Sequence, residues 1–251
     1  MVRMRITFLW LLVISANRYR CMANVLHDSL DLYSIEVGKP AASPTKSAPI
    51  QTLEQLKMSP HIYGYCDELK KSDPSGVYRI YVNMDQTAVV FCDQEYEGGG
   101  WTVIQNRFNG SVSFDRYLPE YKNGFGRIEG GEFWLGLDVI HQLTCSAPHE
   151  LVILLEDYAG NSYTEKAERF AVTISYVDEY RVKVTGFSKE SMFSDTFSEG
   201  TKWWDSISSY KGSLNGIYGT SARKVSNGHM TWLVNTKQLP IKSSRIMIRR
   251  K

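Results

Sequence analysis

The side chains in this sequence that could act as nucleophiles, acid–base groups or metal ligands include four cysteines and five histidines. The cysteines are Cys21, Cys66, Cys92 and Cys145, and the histidines are His27, His61, His141, His149 and His229. No two cysteines have the Cys-x-x-Cys spacing that zinc sites favour. The sequence contains neither a His-Glu-x-x-His zinc motif nor a Gly-x-Ser-x-Gly nucleophile elbow. We therefore expect neither catalysis nor a zinc centre.

The composition supports a folded domain, and the excess of basic residues lies at the N-terminal end of the chain. Of 251 residues, 43% are hydrophobic and 22% are charged, which excludes a wholly disordered chain. The formal net charge is +2, but residues 1–23 contain four arginines and no acid. The chain after Ala23 has 25 basic against 27 acidic side chains. A nucleic-acid partner is therefore not expected.

Residues 1–23 have the organisation of a secretory signal peptide. Two arginines precede an apolar run at 6–14, and small residues follow it. Two further arginines interrupt the run before it reaches the roughly 20 apolar residues of a membrane span. Cleavage after Ala16 and cleavage after Ala23 both fit the sequence. The mature protein is expected to be secreted and extracellular, without a membrane span.

Residues 24–63 are predicted to be a flexible linker. Their periodicity is poor, and the centre at 40–49 is rich in proline, alanine and serine. A short helix is predicted at 51–58, with no sustained heptad pattern. The folded domain is predicted to cover residues 64–251.

Two cysteines bracket the first strands of this domain. Alternating patterns at 76–82 and 87–92, bounded by turn residues, predict two β-strands. Cys66 and Cys92 flank them, and in a secreted chain such a pair is predicted to form a disulfide bond. The bond would stabilise the domain by about 3–4 kcal/mol in the chain-entropy model. Two buried free thiols are the alternative.

A glycine triplet and an Asn-Gly pair mark the next turns. Gly98–Gly100 precedes Trp101 without the Lys-Ser/Thr of a phosphate loop, so these glycines are predicted to turn the backbone beneath the indole ring. Asn109 and Gly110 separate two β-prone runs and predict a type I′ hairpin. Asn109 also begins an Asn-Gly-Ser sequon, so we predict N-glycosylation there.

The middle of the domain has both helical and strand periodicity. Residues 137–143 predict a short helix with Leu137, Ile140 and His141 on one side. Alternating apolar residues at 170–174 and 180–184 predict half-buried antiparallel strands.

These motifs, in this order, resemble the fibrinogen C-terminal (fibrinogen-related) domain family. The resembling segments are 65–69, 98–107, 109–114, 121–126, 131–137, 140–144 and 150–157. The resemblance covers nearly all of residues 65–251. It implies an α+β domain: a small N-terminal part closed by the first disulfide, a central twisted and mostly antiparallel sheet with flanking short helices, and a loop-rich C-terminal part that carries the ligand site. It also implies a non-catalytic protein.

The C-terminal part departs from what the family resemblance implies. Most members have a calcium loop there, but residues 186–203 offer only Glu190, Asp195 and Glu199 as carboxylates. Calcium takes about six to eight oxygen ligands, so no metal or other cofactor is expected. A serine stands where the family has a cysteine, so the second disulfide is not expected either.

Three aromatic side chains are the candidate ligand-binding residues. Tyr210, Tyr218 and Trp232 are predicted to line an apolar notch in the C-terminal part, with a purely structural role as the competing interpretation. The basic residues that end the chain, including Arg245 and Arg249, are predicted to form a solvated end after a strand. Contact with acidic glycans is the alternative.

Cys145 has no counterpart in the family motifs. A free, half-buried thiol is the first expectation for this residue. A covalent dimer through Cys145 or Cys21 is the alternative, and cleavage after Ala16 would also allow these two cysteines to pair.

Two functions fit a secreted member of this family. The first is innate-immune, lectin-like recognition of glycans or of microbial and host surfaces. The alternative is an angiopoietin-like protein ligand that binds a cell-surface receptor or adhesion partner without recognising sugar. The sequence slightly favours glycan or pathogen binding over receptor binding.

Overall fold

A computed structural model describes residues 61–174, 180–187, 213–219, 228–234 and 237–251. The predicted signal peptide, most of the predicted linker and the helix predicted at 51–58 lie outside these residues. Within them, strands dominate and two short helices flank the sheet, which confirms the expected α+β class. Neither helix has the length and apolar character needed to cross a membrane.

Eleven strands and two helices make up the described part of the chain. The strands are β1 (Ile62–Tyr63), β2 (Gly76–Tyr81), β3 (Thr87–Asp93), β4 (Trp101–Arg107), β5 (Phe125–Gly126), β6 (Phe133–Trp134), β7 (His149–Asp157), β8 (Ser162–Thr173), β9 (Arg181–Phe187), β10 (Thr231–Val234) and β11 (Lys237–Arg250). The helices are α1 (Leu118–Asn123) and α2 (Leu137–Ser146).

The last strand of the chain lies in the middle of the sheet. The strand order is β1-β2-β3-β4-β11-β7-β8-β9, with β10 paired to β11 and the β5–β6 hairpin paired to β4. All described pairs are antiparallel except β1 with β2. β11 therefore joins β4, from the first half of the domain, to β7, from the second half.

The core follows the alternation of these strands. Ile246 pairs with Ile153 across β11 and β7, and both side chains are fully buried, as is Ile248 on the same face of β11. Val182 and Val184 point inward from β9 as their spacing predicts. Ile174 was expected to point inward with its neighbours, but it lies just beyond the end of β8 and is 39% exposed.

Helix α2 confirms the predicted helix and extends three residues beyond it. Its inward face packs against β8, and two polar groups fix the contact. The His141 ring nitrogen Nδ1 donates to the Val172 carbonyl oxygen at 2.7 Å. The Val172 N–H donates to the Thr144 hydroxyl at 3.1 Å. Burial lowers the pKa of His141, against the opposing effect of that hydrogen bond, so the ring stays neutral near pH 7.

The N-terminal part is closed by a disulfide bond between Cys66 and Cys92, whose Cα atoms lie 5.5 Å apart. Ile62 and Tyr63, at the end of the predicted linker, already pair with β2. Cys145 is also disulfide-bonded, so the expected free thiol is wrong. An oxidised sulfur offers neither a nucleophile nor a metal ligand.

The basic residues near the chain end belong to β11 and are paired. Arg245 binds Asp93, Arg249 binds Glu150, and Arg250 binds Asp67, at distances of 2.8, 2.7 and 3.0 Å. Each guanidinium also lies over an aromatic ring, as Arg249 does over Trp101 at 4.3 Å. The predicted solvated end is therefore wrong, because strand pairing brings these arginines against the acids of neighbouring elements.

Candidate functional site

Two parts of the chain that are far apart in sequence meet where β4 ends. Here the loop after β4 packs against a segment of the C-terminal part, residues 213–219. We call this contact the Arg107 junction. Its members are Arg107, Glu132, Leu214, Gly216 and Tyr218.

Arg107 is the last residue of β4, and its side chain is 1% exposed. Its Nη1 donates to the carbonyl oxygens of Leu214 at 2.9 Å and Gly216 at 2.6 Å. The guanidinium lies over the Phe114 ring, 4.0 Å from the ring centre. Among the residues that the structure describes, Nε and Nη2 have no hydrogen-bond partner. The side chain therefore fastens the C-terminal segment to β4 and leaves two donors unpaired.

The arginine remains charged despite its burial. Burial lowers the pKa of the Arg107 guanidinium to about 10, while the negative charge of Glu132 opposes that shift. At neutral pH the site therefore holds a buried cation near a buried anion. Removing either charge would leave the other uncompensated.

Glu132 precedes β6, is fully buried and organises the loop after β4. Its Oε1 accepts the backbone N–H groups of Phe108, Asn109 and Gly110 at 2.7–2.8 Å. Its Oε2 accepts the N–H of Val112 at 2.9 Å. Burial by itself would raise the pKa of this carboxyl, but the four backbone donors outweigh it and hold the pKa below its ordinary value.

The predicted Asn109–Gly110 hairpin is therefore wrong. Residues 111–117 contain no strand, and the next element after β4 is α1. The backbone donors that a hairpin would use between strands point instead at one carboxylate, which lies more than twenty residues further along the chain. Gly110 does adopt the positive φ that such a turn needs, at 72°.

Tyr218 closes the junction over this loop. Its hydroxyl lies 3.0 Å from the Phe108 carbonyl oxygen and 2.8 Å from that of Lys242, and its one proton is shared between these two acceptors. The ring packs on Gly110, where an added Cβ would lie 2.5 Å from a ring carbon of Tyr218. Gly110 is thus required by both its backbone angle and its neighbour.

The C-terminal segment has little room to move at Gly216. A Cβ at this position would lie 2.5 Å from the carbonyl group of His229. The Ile217 N–H donates to the Gly228 carbonyl at 2.7 Å, and the Met230 N–H donates to the Ile217 carbonyl at 2.8 Å. The two C-terminal segments therefore form one small bridged unit, held against β4 by Arg107.

The structure places two of the three predicted ligand-binding residues. Trp232 lies in β10, is 2% exposed and packs in the core. Tyr218 is half-buried, and its hydroxyl is engaged by two carbonyl groups. Tyr210 lies outside the described residues. Tyr218 therefore lies in the junction, whereas Trp232 does not reach the surface. A ligand role for the three residues stays a prediction.

Other predicted features fall partly outside the described residues. The carboxylates Glu190, Asp195 and Glu199 of the expected calcium region are among those not described, as are the serines at the lost second disulfide. Asn109 is exposed at the tip of the loop, and its Oδ1 accepts the Ser111 N–H at 3.0 Å. Its glycosylation remains a prediction.

Sequence reasoning missed Arg107 and Glu132 as the organising residues of this site. Both lie inside motifs that carry the family resemblance, at 98–107 and 131–137. A charged residue at an inward position of a buried strand was the available signal, because such a residue needs a partner. The identity of the partner depends on how β4, β6 and the C-terminal segment come together.

The junction combines buried charged groups with exposed apolar side chains. Both buried charges are engaged within the fold, and Cys145 is oxidised. Two large apolar side chains flank Tyr218 at the surface: Phe108, 40% exposed, whose carbonyl accepts the tyrosine hydroxyl, and Ile217, 50% exposed, which precedes it. Exposed apolar side chains on a rigid support suit contact with another macromolecule.

Comparison with known proteins places this geometry in a family. Residues 64–199 match the family model of the C-terminal globular domain of the fibrinogen beta and gamma chains. Angiopoietin-4 of Bos taurus is 40% identical over 136 residues, which is 53% of this chain and 27% of that protein. Microfibril-associated glycoprotein 4 of Bos taurus is 44% identical over 129 residues, 49% of this chain and 50% of that protein. The chain thus spans about a quarter to a half of the length of these relatives.

Solved structures agree with the fold. The fibrinogen-like globe domain of human ANGPTL6 aligns with a TM-score of 0.64 at 27% identity, covering 82% of this chain and 99% of that domain. A lamprey fibrin D-dimer shares the fold at 22% identity, with a TM-score of 0.63 and coverage of 98% of this chain and 86% of that one. The family model covers more than half of the sequence, and the chain therefore belongs to the fibrinogen C-terminal globular domain family.

Proposed function

We propose that this chain is a secreted, non-catalytic protein ligand that binds a cell-surface receptor or adhesion partner. The contact surface is the one supported by the Arg107 junction, with Phe108 and Ile217 as its apolar anchors. The sequence by itself ranked glycan recognition first. The reversal of that order rests on the comparisons and on the exposed residues of the junction.

The comparisons carry most of this proposal. The most similar relatives include angiopoietin-4 and angiopoietin-related protein 6, from several mammals. Angiopoietin-like proteins are the group for which the family resemblance implied receptor binding. Microfibril-associated glycoprotein 4 is a second type of relative and supports an extracellular setting for this family.

The geometry also favours a protein partner over a glycan. A sugar pocket needs aromatic faces and polar groups that are open to the ligand, whereas Trp232 is buried and the Tyr218 hydroxyl is already engaged. A protein-binding surface needs apolar anchors on a rigid support and no pocket. Phe108 and Ile217 meet that need.

The test separates a protein receptor from a glycan on intact cells. Binding of the tagged, secreted full-length chain is measured by flow cytometry on untreated cells, on trypsin-treated cells, and on cells treated with PNGase F and neuraminidase. We expect trypsin to abolish binding and the glycosidases to leave it. Loss with the glycosidases would overturn the proposal in favour of glycan recognition, and a further loss with EDTA would show a calcium-dependent site.

Matched variants place the contact on the domain. Phe108→Ser and Ile217→Ser should each lower binding about 5- to 30-fold, the range of interface anchors. Met84→Ser removes an equally exposed apolar side chain, 53% exposed, from the turn between β2 and β3 and should have no effect. Equal binding by all three variants would show that the partner does not contact the surface at the Arg107 junction.

A further inference from the structure

A cavity of about 330 Å³ lies where the sheet divides. One edge of β4 is shared by two partners: β3 pairs with its first half, at residues 101–103, and β6 pairs with its second half, at residues 105–106. Because the pairing of β3 with β4 stops at Phe91, the first half of β3 and the β5–β6 hairpin diverge. The cavity occupies the space between them.

Its walls come from three elements. Residues 87–89 of β3 form one side, residues 123–128 around β5 form the other, and Trp134, Leu135 and Val139 complete the lining. The volume is within the range of roughly 300–1,000 Å³ that is typical of small-molecule sites. Most of the lining side chains are apolar.

Two glycines allow the β5 wall of the cavity to lie close to β6. At Gly124 a Cβ would lie 2.5 Å from the Leu135 carbonyl oxygen, and at Gly126 it would lie 2.3 Å from that of Glu132. Both residues have positive φ, at 85° and 92°. The close approach of β5 to β6 therefore requires glycine at both positions and fixes the position of this wall.

The charge of the lining indicates the class of ligand. Arg127 is the one charged residue among those that line the cavity, and its side chain is exposed at the edge. It forms no ion pair with any described residue. The Thr87 hydroxyl and the Asn123 amide add neutral hydrogen-bonding groups.

We propose that this cavity binds a small carboxylate with a compact apolar tail, such as a medium-chain fatty acid. The tail occupies the space between β3 and β5, beside Trp134, Leu135 and Val139. The carboxylate lies at the rim, where Arg127 neutralises it. Neither Phe108 nor Ile217, the anchors of the receptor surface proposed above, lines this cavity.

The experiment uses octanoate as the probe, with butyrate and the neutral octanamide for comparison. Affinities for the secreted full-length chain are measured by isothermal titration, and methyl NMR spectra show where the probe binds. Each buried methylene tightens binding about four-fold, so octanoate should bind at least ten-fold more tightly than butyrate. The methyl signals of Val89, Leu135 and Val139 should shift with octanoate.

Charge variants test the rim. Arg127→Gln should weaken octanoate binding about three-fold, as an exposed charge pair does, and leave octanamide unchanged. Arg169→Gln removes an exposed arginine of β8 that has no described ion-pair partner and should change neither affinity. Equal effects of the two variants, or equal affinities for octanoate and octanamide, would overturn the carboxylate assignment.

Filling variants test the cavity itself. Ala88→Phe fills it from β3 and should weaken octanoate binding at least ten-fold. Val139→Phe fills it from α2 and serves if the first variant does not fold, as judged by circular dichroism. Full affinity in a folded filling variant, methyl shifts elsewhere in the domain, or no octanoate binding at millimolar concentration would each overturn the proposal.

Discussion

Arg107 Nη1 donates to the Gly216 carbonyl oxygen at 2.6 Å and so joins two parts of the chain that are 109 residues apart. This hydrogen bond connects the end of β4, which lies within the family match at residues 64–199, to a segment beyond the end of that match. A buried charge therefore holds the C-terminal segment against β4.

Replacing Arg107 should destabilise the whole domain. Arg107→Ala leaves the Leu214 and Gly216 carbonyls without their donor and removes the cation near Glu132. We expect a loss of about 3–5 kcal/mol in the free energy of unfolding, measured by urea denaturation. Arg169→Ala, at an exposed position of β8, should stay within about 0.5 kcal/mol of the wild type. Equal losses in the two variants would contradict the role of the junction.

Glu132 should give the domain a distinctive loss of stability in acid. A carboxyl whose pKa is lowered in the folded state contributes stability that is fully present above its unfolded-state pKa, near 4.5, and is lost as the pH falls through the folded-state pKa. Glu132→Gln should cost about 2–3 kcal/mol at pH 7, the scale of hydrogen bonds to a charged group. The difference from the wild type should shrink below about pH 4.5.

The control for that measurement is Glu129→Gln, which changes an exposed carboxylate in the same hairpin. Urea titrations between pH 2 and 7 give the free energy of unfolding for each protein. A wild-type advantage over Glu132→Gln that stays constant across this range would show that the ionised carboxylate is not what organises the loop.

Gly110 and Gly130 provide a matched pair for the contact with Tyr218. Both have positive φ, at 72° and 66°, but only Gly110 has a neighbour where its Cβ would lie. Gly130→Ala should cost about 1–2 kcal/mol for the backbone angle alone, and Gly110→Ala should cost more. In a Tyr218→Ala background the extra cost should disappear, which a double-mutant cycle measures. An equal cost for Gly110→Ala in both backgrounds would rule out the steric contact.

The Cys66–Cys92 bond should be needed for secretion. It closes a loop with a sequence separation of 26 residues, and its loss should cost about 3–4 kcal/mol in the chain-entropy model. Cys66→Ser and Cys92→Ser should lower the secreted yield to the same extent, and the double variant should lower it no further. An unchanged yield for Cys66→Ser would show that the bond is dispensable.

Asn109 should carry an N-linked glycan when the chain is secreted. The side chain is exposed, and its loop is fixed by Glu132 rather than by strand pairing. PNGase F should increase the electrophoretic mobility of the secreted protein. Asn109→Gln and Ser111→Ala should abolish that change, while Ser111→Thr should retain it. A wild-type protein that does not respond to PNGase F would contradict the prediction.

Much of the fold could be predicted from local patterns. The alternation at 76–82 and 87–92 predicted β2 and β3 to within one residue at their C-terminal ends, and the spacing at 137–143 predicted α2. These predictions succeed because one face of each element is buried, so its periodicity is present in the sequence. The Asn109–Gly110 prediction failed because the turn chemistry is local, whereas the acceptor of its N–H groups, Glu132, comes from another element.

The sequence predicted the pairing of Cys66 with Cys92, the positions of β2, β3 and α2 and the inward side chains of β9, and its resemblance to a known family indicated the α+β class. The disulfide, the elements and their inward faces depend on residue type and short spacing, whereas the fold class depends on the resemblance. The tertiary structure decided the oxidised state of Cys145, the central position of β11 with its paired arginines, and the burial of Arg107 against Glu132. These depend on long-range strand order. The ionisation of a charged group and the oxidation of a thiol depend on the groups beside them, and folding brings those groups together from distant parts of the sequence.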